Sequence, residues 1–125
     1  MSARILHIED NPANRMIVRD LLEFRGYQVV DVMDGEEALA ATEREQPDLI
    51  LMDIQLPRIS GLEATRRIRA REDLRRIPIV AVTSFALSGD DQKAFAAGCD
   101  AYIAKPYKPR ELLELIEKLL QSDGK

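Results

Sequence analysis

The stretch Leu49-Ile50-Leu51-Met52-Asp53-Ile54-Gln55-Leu56-Pro57 decides the fold. Its apolar centre leaves no polar face, so a strand here must be covered on both sides, as in a sheet sandwiched between helices. The run ends on a carboxylate, Asp53. Two other short apolar runs end on charge. Ile5-Leu6-His7-Ile8 leads into Glu9-Asp10, and Ala101-Tyr102-Ile103-Ala104 leads into Lys105-Pro106. As parallel strands of one sheet, the three runs point their C-terminal ends the same way. Glu9, Asp10, Asp53 and Lys105 then meet at the edge where open α/β sheets bind ligands.

Working outward, short apolar runs alternate with segments of helical period. Strands are expected at Ile5–Ile8, Tyr27–Val32, Asp48–Met52, Ile77–Val82 and Ala101–Ala104. Helices are expected from Ala13 to Arg25, closed by Gly26, and from Gly35 to Glu45, ended by Pro47. Three more are expected over Gly61–Arg71, Asp90–Ala97 and Pro109–Leu120, with a frayed tail from Gln121. Five strand–helix pairs imply right-handed crossovers, an α/β fold and a doubly wound parallel sheet. No linker, internal repeat or low-complexity segment interrupts the 125 residues, so residues 1–125 are expected to form a single domain with no effector domain attached.

The chain is 46% apolar and 32% charged, with a formal net charge of −4. Such a balance suits a compact soluble domain and disfavours general nucleic-acid binding. No apolar stretch reaches the roughly 20 residues of a membrane span. The N-terminus runs straight into the first strand without a signal-peptide pattern. The single cysteine, Cys99, fits a reducing compartment, so a cytoplasmic location is expected.

Three clustered carboxylates repel one another by up to about 4 kcal/mol per pair at ~4 Å and an effective dielectric of 20. A cation would hold them together. Glu9, Asp10 and Asp53 are hard oxygen ligands suited to Mg²⁺. A divalent cation with Lys105 balances their three charges, and leaves the site near −1 if Asp53 takes up a phosphoryl group. A carboxylate nucleophile would yield an acyl phosphate, a bond that is made and lost readily. The hydroxyls of Thr83-Ser84, at the end of the fourth strand, lie at the same edge.

Together, Glu9-Asp10, the Leu51–Pro57 segment with Ser60-Gly61, Val82-Thr83, the stretch Ala97–Tyr102 and Lys105-Pro106 resemble the receiver domain of two-component response regulators. The resemblance covers nearly the whole chain, in order and in register, and is closest to single-domain regulators of the DivK type and to receivers fused to hybrid sensor kinases. It implies a flavodoxin-like sheet of strand order 2-1-3-4-5. It implies Asp53 as phosphoacceptor, and Mg²⁺ held by Glu9, Asp10, Asp53 and the Gln55 backbone carbonyl. Lys105 would pair with the phosphoryl group, and the Lys105–Pro106 bond would be cis. Thr83 would be the switch hydroxyl and Tyr102 the aromatic that moves with it. Gln55 and Phe85 fall where the family tunes water access. The implied partners are a histidine kinase or histidine phosphotransfer protein as donor and a downstream signalling protein, with neither DNA nor membrane. Many receivers carry two aspartates where this chain has Glu9-Asp10; the extra methylene changes reach, not charge.

Two other classes compete. A carboxylate-nucleophile phosphatase usually has a second aspartate two residues after the nucleophile, where this chain has Gln55. A flavodoxin-like cofactor carrier needs a phosphate-cradling loop after the first strand, where this chain has Glu9-Asp10-Asn11-Pro12. Neither an enzyme nor a flavin carrier is therefore expected. His7 reads as a packed strand residue, and Cys99 as a small buried hydrophobe. The run Arg66, Arg67, Arg69, Arg71, Arg75 and Arg76, interleaved with Glu63, Glu72 and Asp73, reads as a solvated helix face.

Overall fold

The structure, a computed structural model, describes residues 3–56, 58–83 and 90–123. Ser84 and Phe85 lie outside the described residues. Five strands, β1 (Arg4–Ile8), β2 (Gln28–Val32), β3 (Leu49–Asp53), β4 (Ile79–Thr83) and β5 (Ala101–Ala104), alternate with α1 (Pro12–Phe24), α2 (Gly35–Glu45), α3 (Gly61–Arg69), α4 (Asp90–Ala97) and α5 (Pro109–Asp123). The strands form one parallel sheet in the order β2-β1-β3-β4-β5.

Every residue of β3 and β4 is buried, as continuous apolar runs at the centre of a sheet require. Alternate side chains enter two separate cores. Leu6, Ile8, Ile50, Met52, Ile79 and Ala81 pack with residues of α2, α3 and α4 on one face. Ile5, Leu49, Leu51, Val80 and Val82 pack with residues of α1 and α5 on the other.

The helices that follow β1, β2 and β3 each start on a side-chain cap. The Asn11 side chain accepts from the Ala13 and Asn14 N–H groups at 2.9 and 3.1 Å, and Pro12 takes the first helical position. The Asp34 side chain accepts from Glu37 N–H at 3.0 Å. Ser60 Oγ accepts from Glu63 N–H at 3.2 Å. A Cβ on Gly61 would collide with the Asp53 carbonyl oxygen, so α3 can start this close to the end of β3 only with glycine there.

Three expectations are corrected. α3 stops at Arg69 instead of Arg71 and is followed by a 3₁₀ turn over Glu72–Leu74 that buries Leu74. α5 runs on to Asp123, through the tail expected to fray. Arg69 is not on a solvated face. Its Nε donates to Gly98 O at 2.8 Å and its Nη1 to Arg75 O and Ile77 O at 2.9 and 2.8 Å. Its Nη2 reaches Asp100 Oδ2 at 2.6 Å, an oxygen that also accepts from Ile79 N–H. One guanidinium thus ties α3 to the starts of β4 and β5. Arg66 and Arg67, by contrast, pair with Glu63 on the exposed surface, as expected. Arg69→Ala strands three carbonyls and a carboxylate, and is expected to cost about 3 kcal/mol in urea unfolding, whereas Arg66→Ala costs about 0.5 kcal/mol or less. Equal effects of the two changes would contradict this assignment.

Candidate functional site

The sheet register brings the acids together. Ile8 pairs with Met52 across β1 and β3, so Glu9 and Asp53, each one residue further on, face each other at the C-terminal edge. Both are buried, at 3% and 5% exposure, while Asp10 is exposed. A carboxylate oxygen from each of Glu9, Asp10 and Asp53 lies within 4.8 Å of the others. Backbone hydrogen bonds fix the three strand ends. Glu9 N–H donates to Val32 O at 2.9 Å, Ile54 N–H to Val82 O at 2.9 Å and Lys105 N–H to Thr83 O at 2.7 Å.

Lys105 enters from β5. Its Nζ donates to Glu9 Oε1 at 3.0 Å, and the Lys105–Pro106 peptide is cis, as the resemblance implied. Glu9 Oε2 accepts from Asn11 N–H at 3.2 Å. Asp53 Oδ1 accepts from Gln55 N–H at 2.9 Å, which turns the chain sharply after β3. One further support has no motif to announce it: Arg15, one turn into α1, reaches back with Nη1 to Glu9 O at 2.9 Å and Asp10 O at 3.0 Å. It holds the backbone of the acidic pair from below.

Thr83 is buried at the end of β4 and pairs in register with Ala104. Tyr102, two residues before Ala104, therefore lies on the same sheet face and is partly buried against the α2–α4 core. Thr83 and Tyr102 are thus diagonal neighbours between β4 and β5. His7 is packed, as expected. It is 4% exposed, with Nδ1 3.4 Å from Asp31 Oδ1, and Asp31 in turn accepts from Arg19 at 2.8 and 3.0 Å. Cys99 is buried, 3.8 Å from Thr65 Oγ1, and burial pushes its thiol up, away from reactivity.

The electrostatics of the acid pair are asymmetric. Burial pushes the Asp53 carboxyl up to about 7; the Gln55 N–H and the Lys105 ammonium oppose this, and the Glu9 carboxylate adds to it. Burial acts to raise Glu9 as well, but hydrogen bonds from Lys105, Asp53 and the Asn11 N–H outweigh it and hold Glu9 below its ordinary value. The cation-free pair therefore keeps its proton on Asp53 and its charge on Glu9.

This asymmetry has a stability consequence. An acid whose folded pKa lies above its unfolded value binds its proton more tightly when folded. The stabilisation is complete below about pH 4, the unfolded value, and is lost as pH rises through about 7. In chelator, the wild-type melting temperature should fall between about pH 4 and about pH 7 relative to Asp53→Asn, which has no such proton to lose. Parallel pH profiles for the two proteins would contradict the assignment.

Comparison with known proteins agrees with the geometry. A family model described as the response regulator receiver domain matches residues 5–117. The chain is 44% identical over 120 residues to the polar-differentiation response regulator DivK of Brucella ovis, covering 96% of this chain and 98% of that protein. The DivK of Brucella anthropi is 43% identical over the same length. Among solved structures, the receiver domain of sensor histidine kinase PA1611 from Pseudomonas aeruginosa PAO1 is 42% identical. It superposes with a TM-score of 0.90 over 97% of this chain and 99% of that one, and it holds a magnesium ion in its active-site cleft. A CheY-like receiver from Methanospirillum hungatei is 34% identical with a TM-score of 0.91, over 99% of this chain and 98% of that one. With a five-stranded sheet of order β2-β1-β3-β4-β5, three acids gathered at one edge of it and a family match over most of its length, this chain belongs to the response regulator receiver domain family.

Proposed function

We propose that this chain is a DivK-like response regulator that accepts a phosphoryl group on Asp53 and signals through altered binding to another protein. It is a signalling protein rather than an enzyme. The observation that carries the reading is the buried Glu9–Asp53 pair, with Asp10 and Lys105 converging on it from separate strands and loops. A packed core has no use for such a cluster, because desolvated like charges are costly there.

The residues fit Mg²⁺. Three carboxylates supply hard oxygens within 4.8 Å of one another, and burial, with the Glu9 carboxylate beside it, raises the Asp53 pKa, a penalty on its charged form that a cation would offset. Glu9, Asp10, Asp53 and the Gln55 backbone carbonyl would hold the ion. When bound, it supplies charge neutralisation for the attacking carboxylate and the incoming phosphoryl oxygens. Asp53 Oδ1 is held by Gln55 N–H, which leaves Oδ2 to attack phosphorus. The bond from phosphorus to the donor imidazole nitrogen breaks, and the imidazole departs neutral after taking up a proton. Lys105 exchanges its contact with Glu9 for one with a phosphoryl oxygen.

The phosphodonor is a histidine kinase, directly or through a histidine phosphotransfer protein. Among the described residues, no helix is long and apolar enough to cross a membrane. The acidic charge and the single cysteine support a cytoplasmic protein with a protein target, not DNA. Incubation with acetyl phosphate, followed by intact-mass measurement, tests the reading. One added phosphoryl group is expected with Mg²⁺ and none in excess chelator; absence of uptake under both conditions would refute it.

Output runs through Thr83 and Tyr102. Phosphorylation adds charge and acceptor oxygens beside the end of β4. The Thr83 hydroxyl moves toward them, and Tyr102 follows on the same sheet face, so the surface around α4 and β5 reorganises. A coupling of ~1–3 kcal/mol changes partner affinity about 5–150-fold. Thr83→Ala should still accept phosphate yet lose most of that difference in a partner titration. A full wild-type difference in Thr83→Ala would exclude this switch.

A further inference from the structure

The connection from β3 to α3 follows directly on Asp53 and carries the Gln55 backbone. Gly61 fixes its far end against the Asp53 carbonyl, and Gly61 N–H donates to Ile54 O at 2.9 Å. Its outer side is held by α2. Arg58 has φ of 64°, in the left-handed region that an arginine occupies only against a steric cost. Something beyond the residue itself must hold it there.

The guanidinium forks over the first turn of α2. Nη1 donates to Glu36 Oε2 at 3.1 Å and Nη2 to Asp34 Oδ2 at 3.3 Å. The Asp34 side chain is only 10% exposed and already caps α2 through Oδ1, so its second oxygen is presented at a fixed place. Between the two acids sits Gly35, where a Cβ would collide with the Ile59 carbonyl oxygen. Backbone contact and ion pairs thus join the first turn of α2 to residues 58 and 59, just past Gln55.

We propose that the clamp of Arg58 on Asp34 and Glu36 is a positioning device that sets how tightly the acidic site takes its divalent cation. Arg58 touches no reacting atom. It holds residues 58 and 59 against α2, so the Gln55 carbonyl a few residues before them would meet the ion with less ordering still to be done. Released from α2, the loop would have to be ordered at each binding event, and affinity would fall by that amount. This inference rests on the Mg²⁺ reading of the site.

A direct Mg²⁺ titration tests it, followed by backbone amide NMR shifts at about physiological ionic strength, where distant charges are screened. Asparagine favours the left-handed region more than arginine does, so any loosening in Arg58→Asn comes from the lost ion pairs and not from the backbone. Glu36→Gln removes one pair and changes the net charge in the opposite direction. The clamp predicts weaker Mg²⁺ binding in both, by about three- to tenfold for Arg58→Asn and about two- to threefold for Glu36→Gln. The melting temperatures of the cation-free proteins should stay close to wild type. A simple field effect predicts opposite signs, with Arg58→Asn binding more tightly. Opposite signs, or unchanged affinity in Arg58→Asn, would overturn the clamp while leaving the site reading intact. A wild-type protein that shows no Mg²⁺-dependent shifts would overturn the site reading, and the clamp with it.

Discussion

Replacing Asp53 by asparagine is expected to cut phosphoryl uptake by at least about a thousandfold, the scale on which enzymes lose rate with their nucleophile. The amide fills the same space but offers a neutral, weakly nucleophilic oxygen. Its carbonyl can still accept the Gln55 N–H that Asp53 Oδ1 accepts at 2.9 Å, so the turn after β3 survives. The fold should survive as well, and the cation-free protein should gain stability above about pH 7, where the wild-type carboxyl has to ionise in a buried place. Loss of labelling together with equal or higher stability separates removal of the nucleophile from unfolding. Parallel measurement of phosphoryl uptake and melting temperature in Asp53→Asn checks both halves.

The second large effect is removal of the cation. Three carboxylates converge on the point a phosphoryl group must approach, and the Lys105 ammonium offsets one of them. An incoming phosphoryl group adds further negative charge. Without a divalent cation the approach is repulsive, and burial, which pushes the Asp53 carboxyl up to about 7, favours its weakly nucleophilic protonated form. Chelation should therefore slow uptake by about 10²–10³-fold, comparable to deleting a preorganised charge-stabilising group from an active site. The initial rate of labelling against free Mg²⁺ concentration checks this. A rate independent of Mg²⁺ would leave the acidic cluster without its role.

Much of this was legible in the sequence because the two signals involved are local. An apolar run covered on both faces announces a central strand, and a charged residue at its end announces the sheet edge; β3 with Asp53 and β1 with Glu9 carry both. Once the strands are parallel, the register puts Glu9 opposite Asp53 without further information. Side chains that act at long range left no such trace. Arg15, Arg58 and Arg69 occupy ordinary exposed-looking positions in the helical or loop pattern. Their roles come from carbonyls and carboxylates that the fold brings near from elsewhere in the chain, as when Arg69 meets Gly98 and Asp100. The same limit explains the end of α3. Periodicity continues to Arg71, but the turn that buries Leu74 wins and ends the helix at Arg69. Gly61 was visible as part of a motif, while its reason, the nearby Asp53 carbonyl, appears only in three dimensions.

The central claim is that one carboxylate among three takes the phosphoryl group, and chemical mapping tests it most directly. Borohydride reduces an acyl phosphate to the alcohol, which turns a phosphorylated aspartate into homoserine and a phosphorylated glutamate into its longer homologue. Protein labelled with acetyl phosphate and Mg²⁺, reduced and then sequenced by peptide mass spectrometry, should carry homoserine at position 53 and nowhere else, with the signal gone in chelator. Reduction products at Glu9 or Asp10, or a phosphoryl group found on His7 with position 53 unmodified, would contradict the account.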